Sequence, residues 1–384
     1  MKMIISVRRL ADRIGLVIFS GMLSGAMLAP AMGRADAPLV EENGTVHVPA
    51  FVLPESAFLS EETRAALKQA RGLEGEFAAA SEACPPMKGA DRADMPVIRK
   101  CQAETFYKTS LYGELRARYP VTLTAEQMGG VYTEVFTPVD GIARENAKRV
   151  LINMHGGGFV SGSRTTSHLQ SIPIASVGKI KVISIDYRMA PEYTFPAASE
   201  DVAAVYRELL KMYRPQNIGL YGCSAGGQLT AQSIAWFQKE KLPLPGAIGM
   251  FCSGAPSALD GEKDKWLRSD SAYLADAISG ENAENVPELF WYYKGVNIKT
   301  PLASPANYDD VMARFPPSLL ISGTRDGALS SVLATHAQLV RLGVEADLHV
   351  WEGMGHAFFV NPTYPESREA YDVIVRFFEK HLGR

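Results

Sequence analysis

A serine flanked by glycines is the clearest candidate for chemistry in the sequence. Residues 218–227 read IGLYGCSAGG, and Gly222 and Gly226 stand two positions either side of Ser224. An apolar strand before this G-x-S-x-G motif and a helix after it would hold the serine on a tight, strained turn that exposes its hydroxyl. Side chains at the two glycine positions would collide in such a turn. The motif therefore predicts a nucleophilic serine.

A serine hydroxyl is a poor nucleophile at neutral pH, so Ser224 needs a general base, and the base needs an acid that holds its tautomer. His356, in the segment GMGHA, follows the last apolar run of the chain, and Asp326, in ISGTRD, follows the preceding one. Serine, aspartate, histidine is an established chain order for such a triad. We predict Ser224, Asp326 and His356 as catalytic residues. Glu352 and Asp310 are the alternatives to the aspartate.

Three successive glycines predict a site for a developing oxyanion. Residues 155–159 read HGGGF and follow the apolar run Val150–Met154. Backbone N–H groups can converge on a carbonyl oxygen there because the glycines carry no side chains. We expect the donors to be Gly157, Gly158 and Ala225, the last directly after the serine. A phosphate-binding loop is excluded, because neither G-x-G-x-x-G nor a G-K-[ST] ending is present.

The other candidate ligands form no metal-binding pattern. No pair of the four cysteines has the C-x2-C spacing of a zinc or redox site. Five histidines are scattered without ligand spacing: His47, His168, His336, His349 and His381. We therefore predict neither a metal nor an organic cofactor. His155, which precedes the glycines, is expected to anchor the loop.

The elements that must position these residues alternate between strand and helix from about Lys148 onward. Apolar runs predict strands at Val150–Met154, Lys181–Ile185, Ile218–Tyr221, Ala247–Cys252, Ser318–Ser322 and Asp347–Trp351. Amphipathic spacing predicts helices at Asp201–Tyr213, Gly227–Lys239, Ser331–Leu342 and Ser367–Leu382. Strands that are apolar throughout favour a doubly wound parallel sheet covered on both faces. We expect Tyr132–Thr137 as an edge strand of this sheet.

Two regions lack this alternation and are predicted as cap material over the strand ends, where ligands bind in open α/β sheets. In residues 38–120 we expect helices at Ser60–Leu73 and Val97–Tyr119. The second region, residues 257–307, is charged and helical, and contains an aromatic cluster at 290–293. Packing of this cluster on the main domain is the alternative to substrate contact.

Composition bounds the class of protein. With 384 residues, 47% hydrophobic and 21% charged, the chain can bury a large core, so an intrinsically disordered protein is excluded. The 39 basic and 42 acidic residues give a net charge of −3 without blocks of like charge. Nucleic acid is therefore not an expected partner.

The first 37 residues have the layout of a signal peptide. Four basic residues lie within positions 1–13, and the uncharged, mostly apolar run Ile14–Leu28 ends in small residues. This run is shorter than the roughly 20 residues that cross a bilayer. We expect an exported protein, periplasmic or secreted, with no membrane association after cleavage. A retained anchor is the alternative.

Export changes the interpretation of Cys84 and Cys101. In an oxidising compartment the two thiols can form a disulfide, and two free thiols are the alternative. On the chain-entropy model such a bond would stabilise the fold by about 3 kcal/mol.

The motifs together resemble the hormone-sensitive-lipase-like α/β-hydrolases, the bacterial family IV esterases. They occur in the family's order from about Val131 to the end of the chain: HGGGF at 155–159, DYRMAPE at 186–192, GCSAGG at 222–227, TRD ending at 326 and GMGHAF from 353. The resemblance implies an α/β-hydrolase fold with a mostly parallel, doubly wound sheet of eight strands. It also implies the triad and oxyanion donors named above, and a helical cap built largely from the N-terminal region before a catalytic domain at 121–384.

Three features depart from the family pattern. Cys223 stands before the serine, where the family usually has an aspartate. Ser330 and Ser331 replace acidic residues that often follow the catalytic aspartate. The region before Gly130 is long and contains the cysteine pair, so its cap can differ from that of the family.

These residues predict a serine carboxylesterase that acts on a small-molecule ester with a short- to medium-chain acyl group, through an acyl-enzyme on Ser224. Phe159, Trp291 and Tyr292 are candidate substrate contacts. A lactone, carbamate or aryl-ester hydrolase would use the same triad, and a non-catalytic ligand receptor is an alternative of another class. A thiol mechanism through Cys223 has no second histidine to serve it. The oligomeric state is open, with a homodimer as one alternative.

Overall fold

A computed structural model describes residues 39–48, 51–70, 83–87, 90–255, 270–272, 274 and 291–383. The chain divides into two compact units, Met1–Pro54 and Glu55–Arg384. In the first unit, strands β1 (Leu39–Val40) and β2 (Val46–His47) pair antiparallel. The predicted signal peptide, residues 1–37, lies outside the described residues.

The second unit is built on one eight-stranded sheet. Its strands are β3 (Val121–Met128), β4 (Val131–Pro138), β5 (Val150–Met154), β6 (Lys181–Ile185), β7 (Ile218–Cys223), β8 (Ala247–Phe251), β9 (Ser318–Arg325) and β10 (Ala346–Gly355). The order across the sheet is β10-β9-β8-β7-β5-β6-β4-β3. Strand β4 runs antiparallel to β3 and β6, and the other pairs are parallel. The predicted mostly parallel, eight-stranded sheet is confirmed.

The helices of the described residues connect these strands. They are α1 (Glu61–Ala70), α2 (Met95–Phe106), α3 (Ser110–Arg118), α4 (Thr166–Gly178), α5 (Ala197–Leu209), α6 (Ala225–Lys239), α7 (Asp309–Met312), α8 (Leu329–Arg341) and α9 (Pro365–His381). Short 3-10 turns lie at Arg144–Asn146, Pro215–Asn217, Pro305–Asn307 and Phe358–Val360. Within the described ranges, none of these helices combines the length and the apolar character needed to cross a membrane.

The core lies on both faces of the sheet, because neighbouring residues of each strand point to opposite sides. Ile152 and Leu220 pack with one cluster, which includes residues of α5 and α6. Leu151 and Tyr221 pack with the other, which includes residues of α4 and α9. All four side chains are at most 1% exposed. This double covering explains why the central strands are apolar throughout.

Strand β4 is not the edge strand that the sequence predicted at 132–137. It lies one position inside the edge, and β3 pairs outside it from Val121 opposite Pro138 to Met128 opposite Val131. Only the first and last residues of β3 are buried, so its sequence carries no apolar run. The missed signal was the two-residue loop Gly129-Gly130, with φ angles of 59° and 82°, since a glycine pair between strands favours a hairpin.

One predicted helix was wrong, and one helix was missed. The single helix expected at 97–119 is two, α2 and α3, because Thr109 adopts an extended conformation and its side chain accepts the N–H of Tyr112 at the start of α3. Helix α4 was not predicted. Ten of its 13 residues are buried, so it lacks the one-sided apolar pattern by which a surface helix is recognised.

Cys84 and Cys101 are joined by a disulfide across 17 positions of sequence, and Cys101 belongs to α2. Most of the predicted cap insertion at 257–307, including Phe290, lies outside the described residues. The division into a cap at 38–120 and a catalytic domain at 121–384 stays a prediction.

Candidate active site

Ser224 occupies the turn between β7, which ends at Cys223, and α6, which begins at Ala225. Its backbone has φ 59° and ψ −123°, a conformation that a residue with a side chain rarely adopts. The N–H of Ser224 donates to the carbonyl of Phe251 (2.8 Å), which ties the turn to the end of β8. Strain of this kind is held in place by the surrounding fold and is typical of functional residues.

The glycines on either side of Ser224 are required by the packing. A Cβ atom on Gly222 would lie 2.3 Å from the carbonyl oxygen of Met154, and one on Gly226 would lie 1.8 Å from the same atom. Both distances are shorter than any van der Waals contact. The predicted collision is confirmed, and it arises because the turn packs directly on the end of β5.

Asp326 and His356 form a hydrogen-bonded pair. Asp326 directly follows β9, His356 directly follows β10, and Nδ1 of His356 lies 2.7 Å from Oδ1 of Asp326. The Asp326 carboxylate also accepts the hydroxyl of Ser322 (2.8 Å) and the N–H of Ala328 (2.9 Å). The Asp326 side chain is 0% exposed, whereas that of His356 is 45% exposed. The aspartate is fixed in the interior and holds an imidazole that remains accessible.

The pair shifts the pKa values of both groups. Desolvation raises the pKa of Asp326, but the charge of His356 and the hydrogen bonds from His356, Ala328 and Ser322 outweigh it, so the pKa lies below its ordinary 3.8. Desolvation lowers the pKa of His356, but the charge and hydrogen bond of Asp326 outweigh it and raise the pKa to about 9. Asp326 is therefore ionised at neutral pH and stabilises a protonated His356.

The three predicted triad residues lie at one edge of the sheet. Ser224, Asp326 and His356 follow the carboxyl ends of β7, β9 and β10, and these strands are parallel through β8. This is the edge at which ligands bind in open α/β sheets.

The glycine loop packs against the same turn. A Cβ atom on Gly156 would lie 2.9 Å from the carbonyl oxygen of Cys223 and 3.4 Å from Cβ of Ser224. Gly157 has φ 119° and Gly158 has φ 62°, so the loop needs conformations that favour glycine. Among the described residues, nothing accepts a hydrogen bond from the N–H of Gly157 or Gly158. These two groups can therefore donate to a ligand beside Ser224.

The residues around the glycine loop hold it in place. The His155 ring stacks on Tyr187, with centroids 4.2 Å apart, and the Tyr187 hydroxyl donates to the carbonyl of His155 (2.7 Å). His155 is fully buried, and desolvation lowers its pKa, so the ring is neutral. These contacts give His155 the anchoring role that the sequence predicted.

Arg99 of α2 binds the far side of the loop. Its guanidinium donates to the carbonyls of Val160 (2.7 Å) and Ala190 (2.6 Å) and pairs with the carboxylate of Glu192 (2.9 Å). The N–H of Ala190 in turn donates to the carbonyl of Phe159 (2.8 Å). Sequence reasoning missed Arg99, because nothing local marks a side chain whose partners lie 61 to 93 positions away. The DYRMAPE segment, which supplies Tyr187 and Glu192, was recognised without a role.

The predicted substrate contacts lie beside the loop. The rings of Phe159 and Tyr292 stack 4.3 Å apart, and both are buried, whereas Trp291 is partly exposed. The Tyr292 hydroxyl accepts the N–H of Ala198 (3.0 Å). Contact of these three residues with substrate stays a prediction. Cys223 is 1% exposed and packs in the core, which does not favour it as a nucleophile.

The comparison with protein families decides the identity of the fold. A family model described as the alpha/beta hydrolase fold matches residues 151–360, more than half of the chain. The chain belongs to the α/β-hydrolase fold family. This stretch of the α/β-hydrolase contains the glycine loop, Ser224, Asp326 and His356.

Individual relatives are named as an acetyl-hydrolase and as esterases. The α/β-hydrolase is 29% identical to an acetyl-hydrolase of Streptomyces hygroscopicus over 237 residues, 61% of this chain and 77% of that protein. It is 28% identical to versiconal hemiacetal acetate esterase of Dothistroma septosporum over 231 residues, 57% of this chain and 69% of that protein.

Solved structures of esterases share the fold. The crystal structure of esterase E25 superposes with a TM-score of 0.72 at 29% identity, covering 89% of this chain and 100% of that one. An esterase of the bacterial hormone-sensitive lipase (HSL) family superposes with a TM-score of 0.65 at 29% identity, covering 81% and 98%. The predicted resemblance to HSL-like esterases is confirmed.

Proposed function

We propose that this α/β-hydrolase is a serine carboxylesterase that hydrolyses small-molecule esters through an acyl-enzyme on Ser224. One observation carries the proposal. The buried, ionised Asp326 holds the accessible imidazole of His356 at one edge of the sheet. At the same edge, the strained turn of Ser224 packs against the glycine loop. Esterase-named relatives and structures support the same reaction class.

Acylation begins when Nε2 of His356 takes the hydroxyl proton of Ser224 and Oγ attacks the ester carbonyl. Asp326 accepts the Nδ1–H of His356, which fixes the tautomer that leaves Nε2 free and stabilises the imidazolium. The carbonyl oxygen becomes an oxyanion, and the N–H groups of Gly157, Gly158 and Ala225 are the proposed donors. His356 then protonates the leaving alcohol, and the C–O bond breaks.

Deacylation repeats these steps with water as the nucleophile. His356 takes a proton from water, the resulting hydroxide attacks the acyl carbonyl, and the same N–H groups receive the second oxyanion. The Ser224 oxygen leaves and regains its proton from His356. The products are one carboxylic acid and one alcohol, and the enzyme returns to its starting state.

Short- to medium-chain acyl groups are the proposed substrates. The acetyl-hydrolase and acetate-esterase names of two relatives support acyl groups at the short end. Lactones, carbamates and aryl esters present the same carbonyl to Ser224 and belong in the test panel.

The N-terminal segment supports export to the periplasm or the medium, because residues 1–37 combine basic residues, an apolar run and small residues. We infer that the mature protein is free of the membrane. Amino-terminal sequencing of protein from the cell fractions tests this, since a retained Met1 in the membrane fraction contradicts it.

A homodimer remains one alternative for the oligomeric state. Analytical ultracentrifugation of the mature protein measures whether it forms one.

Substitution of the nucleophile tests the proposed reaction. Ser224→Ala should lower the hydrolysis of p-nitrophenyl acetate by at least about 10,000-fold and abolish labelling by a fluorophosphonate probe. Cys223→Ala is the matched control and should keep both, because its buried thiol takes no part. Full hydrolysis by Ser224→Ala would refute the assignment.

A further inference from the structure

A third side chain lies against the Asp326–His356 pair and has no role in the proposed reaction. Cys252 directly follows β8, and its N–H donates to the carbonyl of Ile321 in β9 (2.7 Å). Its Sγ atom, a carboxylate oxygen of Asp326 and a ring nitrogen of His356 all lie within 4.8 Å of one another. Cys252 is a free, buried cysteine. The fold therefore brings a sulfur, an oxygen and a nitrogen donor together at the sheet edge.

These three donors are the side-chain types that bind zinc in proteins. Thiolate, imidazole and carboxylate are all zinc ligands, and three protein ligands leave a fourth position for water. The thiolate also favours zinc over magnesium or calcium, which take oxygen ligands. We propose that Cys252, Asp326 and His356 form an inhibitory Zn²⁺ site that switches off the esterase.

The geometry needs only a small adjustment. Ligand atoms around a tetrahedral zinc ion lie about 3.4 Å apart when the metal–ligand distances are about 2.1 Å. The Nδ1 and Oδ1 atoms of His356 and Asp326 are now 2.7 Å apart, so the pair must open slightly as the metal enters. His356 can make this movement because it follows the last strand and is partly exposed.

Zinc binding removes the general base without any redox step. The Cys252 thiol releases one proton to solvent and its sulfur binds the metal. If Nδ1 of His356 is the ligand, the protonated imidazole releases its Nδ1 proton to solvent and keeps the proton on Nε2. If Nε2 is the ligand, the Nε2 proton goes to solvent and the metal occupies the lone pair. In both cases Nε2 no longer accepts the Ser224 proton. This inhibitory effect rests on the proposed function, whereas zinc binding itself does not.

The three ligands are far apart in the chain and share no spacing motif, so the sequence alone predicts no metal site. They meet only because β8, β9 and β10 are neighbours in the sheet.

Inhibition by zinc tests the proposal. The full chain, freed of metal with EDTA, should lose p-nitrophenyl acetate hydrolysis when Zn²⁺ is added and recover it with excess EDTA. Cys252→Ala and Cys252→Ser should keep their hydrolysis without metal and need at least about 100-fold more Zn²⁺ for half inhibition, because loss of even an outer-shell partner costs 10- to 100-fold in affinity. Cys223→Ala removes a thiol that hydrogen-bonds Cys252 but keeps all three proposed ligands, so it should still be inhibited by Zn²⁺.

Cobalt gives a readout that does not depend on activity. Co²⁺ added to the parent and to Cys223→Ala should produce a thiolate-to-cobalt charge-transfer band, and the two Cys252 variants should lack it. Undiminished zinc inhibition of the Cys252 variants, or the absence of the band in the parent, overturns the proposal. A parent that shows the band but hydrolyses no ester contradicts the proposed function and leaves the metal site standing.

Discussion

His356 links activity to pH at the scale of single residues. A protonated imidazole cannot accept the Ser224 proton, so kcat/KM falls as pH drops through the pKa of His356, which Asp326 raises to about 9. Asp326→Asn removes the raising charge. It should move the acidic limb of the pH profile to lower pH and lower kcat by about 10,000-fold. A profile from pH 5 to 10 measures both, and an unchanged midpoint contradicts the assigned pair.

The same titration acts on stability in the opposite direction. Because the folded-state pKa of His356 lies above its ordinary 6.5, protonated His356 stabilises the fold. That contribution is fully present below pH 6.5 and is lost as pH rises through about 9. Urea unfolding at pH 6 and pH 10 should show a larger loss of unfolding free energy in the parent than in His356→Gln. An equal loss in both proteins contradicts the pairing.

Gly226 gives a residue-scale test of the serine turn. Gly226→Ala should destroy both fold and activity, because the new Cβ atom would lie 1.8 Å from the backbone oxygen of Met154. Gly113→Ala is the matched control. Its Cβ atom meets nothing within 4 Å inside α3, so it should stabilise the protein by about 0.5–1 kcal/mol. Thermal unfolding followed by circular dichroism, with an ester assay, distinguishes the two.

At the scale of elements, α2 acts on the glycine loop through Arg99. Arg99→Met removes the donors to Val160 and Ala190 and leaves the carboxylate of Glu192 unpaired. We expect kcat to fall about 10- to 100-fold with little change in KM, because the oxyanion donors lose their fixed position while substrate contacts remain. Steady-state kinetics measure this split. As a control, Lys100→Met changes an exposed neighbour on the same helix and should leave kcat and KM unchanged. An unaltered kcat in Arg99→Met would contradict the positioning role of Arg99.

Most strands of the sheet and most of the helices beside it were predictable, and β3 and α4 were not. Strands β5 to β10 are recognisable from apolar runs in the sequence, and helices α5, α6, α8 and α9 from amphipathic spacing. Strand β3 was missed because only its ends are buried, and α4 because it is buried all round. Local patterns identify a strand by an apolar run and a helix by one-sided apolar spacing, so they fail for β3 and α4, which show neither.

The candidate site was predictable wherever local sequence motifs mark its residues. Ser224, His356 and the glycines sit in short motifs whose chemistry depends on neighbouring residues. Arg99, which supports the glycine loop, acts through partners far away in the chain, and Cys252 meets Asp326 and His356 only in the folded sheet.

At the scale of the whole molecule, the Cys84–Cys101 disulfide restrains the unfolded chain. It closes a loop across 17 positions, so the double variant Cys84→Ser/Cys101→Ser should lose about 3 kcal/mol of unfolding free energy. Urea titration of the variant and of the parent, each with and without reductant, measures the loss. Reductant should bring the parent to the level of the variant and leave the variant unchanged. A variant as stable as the oxidised parent would show that the bond does not constrain folding.

A crystal structure of a phosphonate-inhibited enzyme tests the central claim most directly. The phosphorus should be bonded to Oγ of Ser224. Its anionic oxygen should lie within about 2.7–3.1 Å of the N–H groups of Gly157, Gly158 and Ala225, with Nε2 of His356 in hydrogen-bond reach. An adduct on another residue, or an oxygen turned away from the glycine loop, would contradict the account.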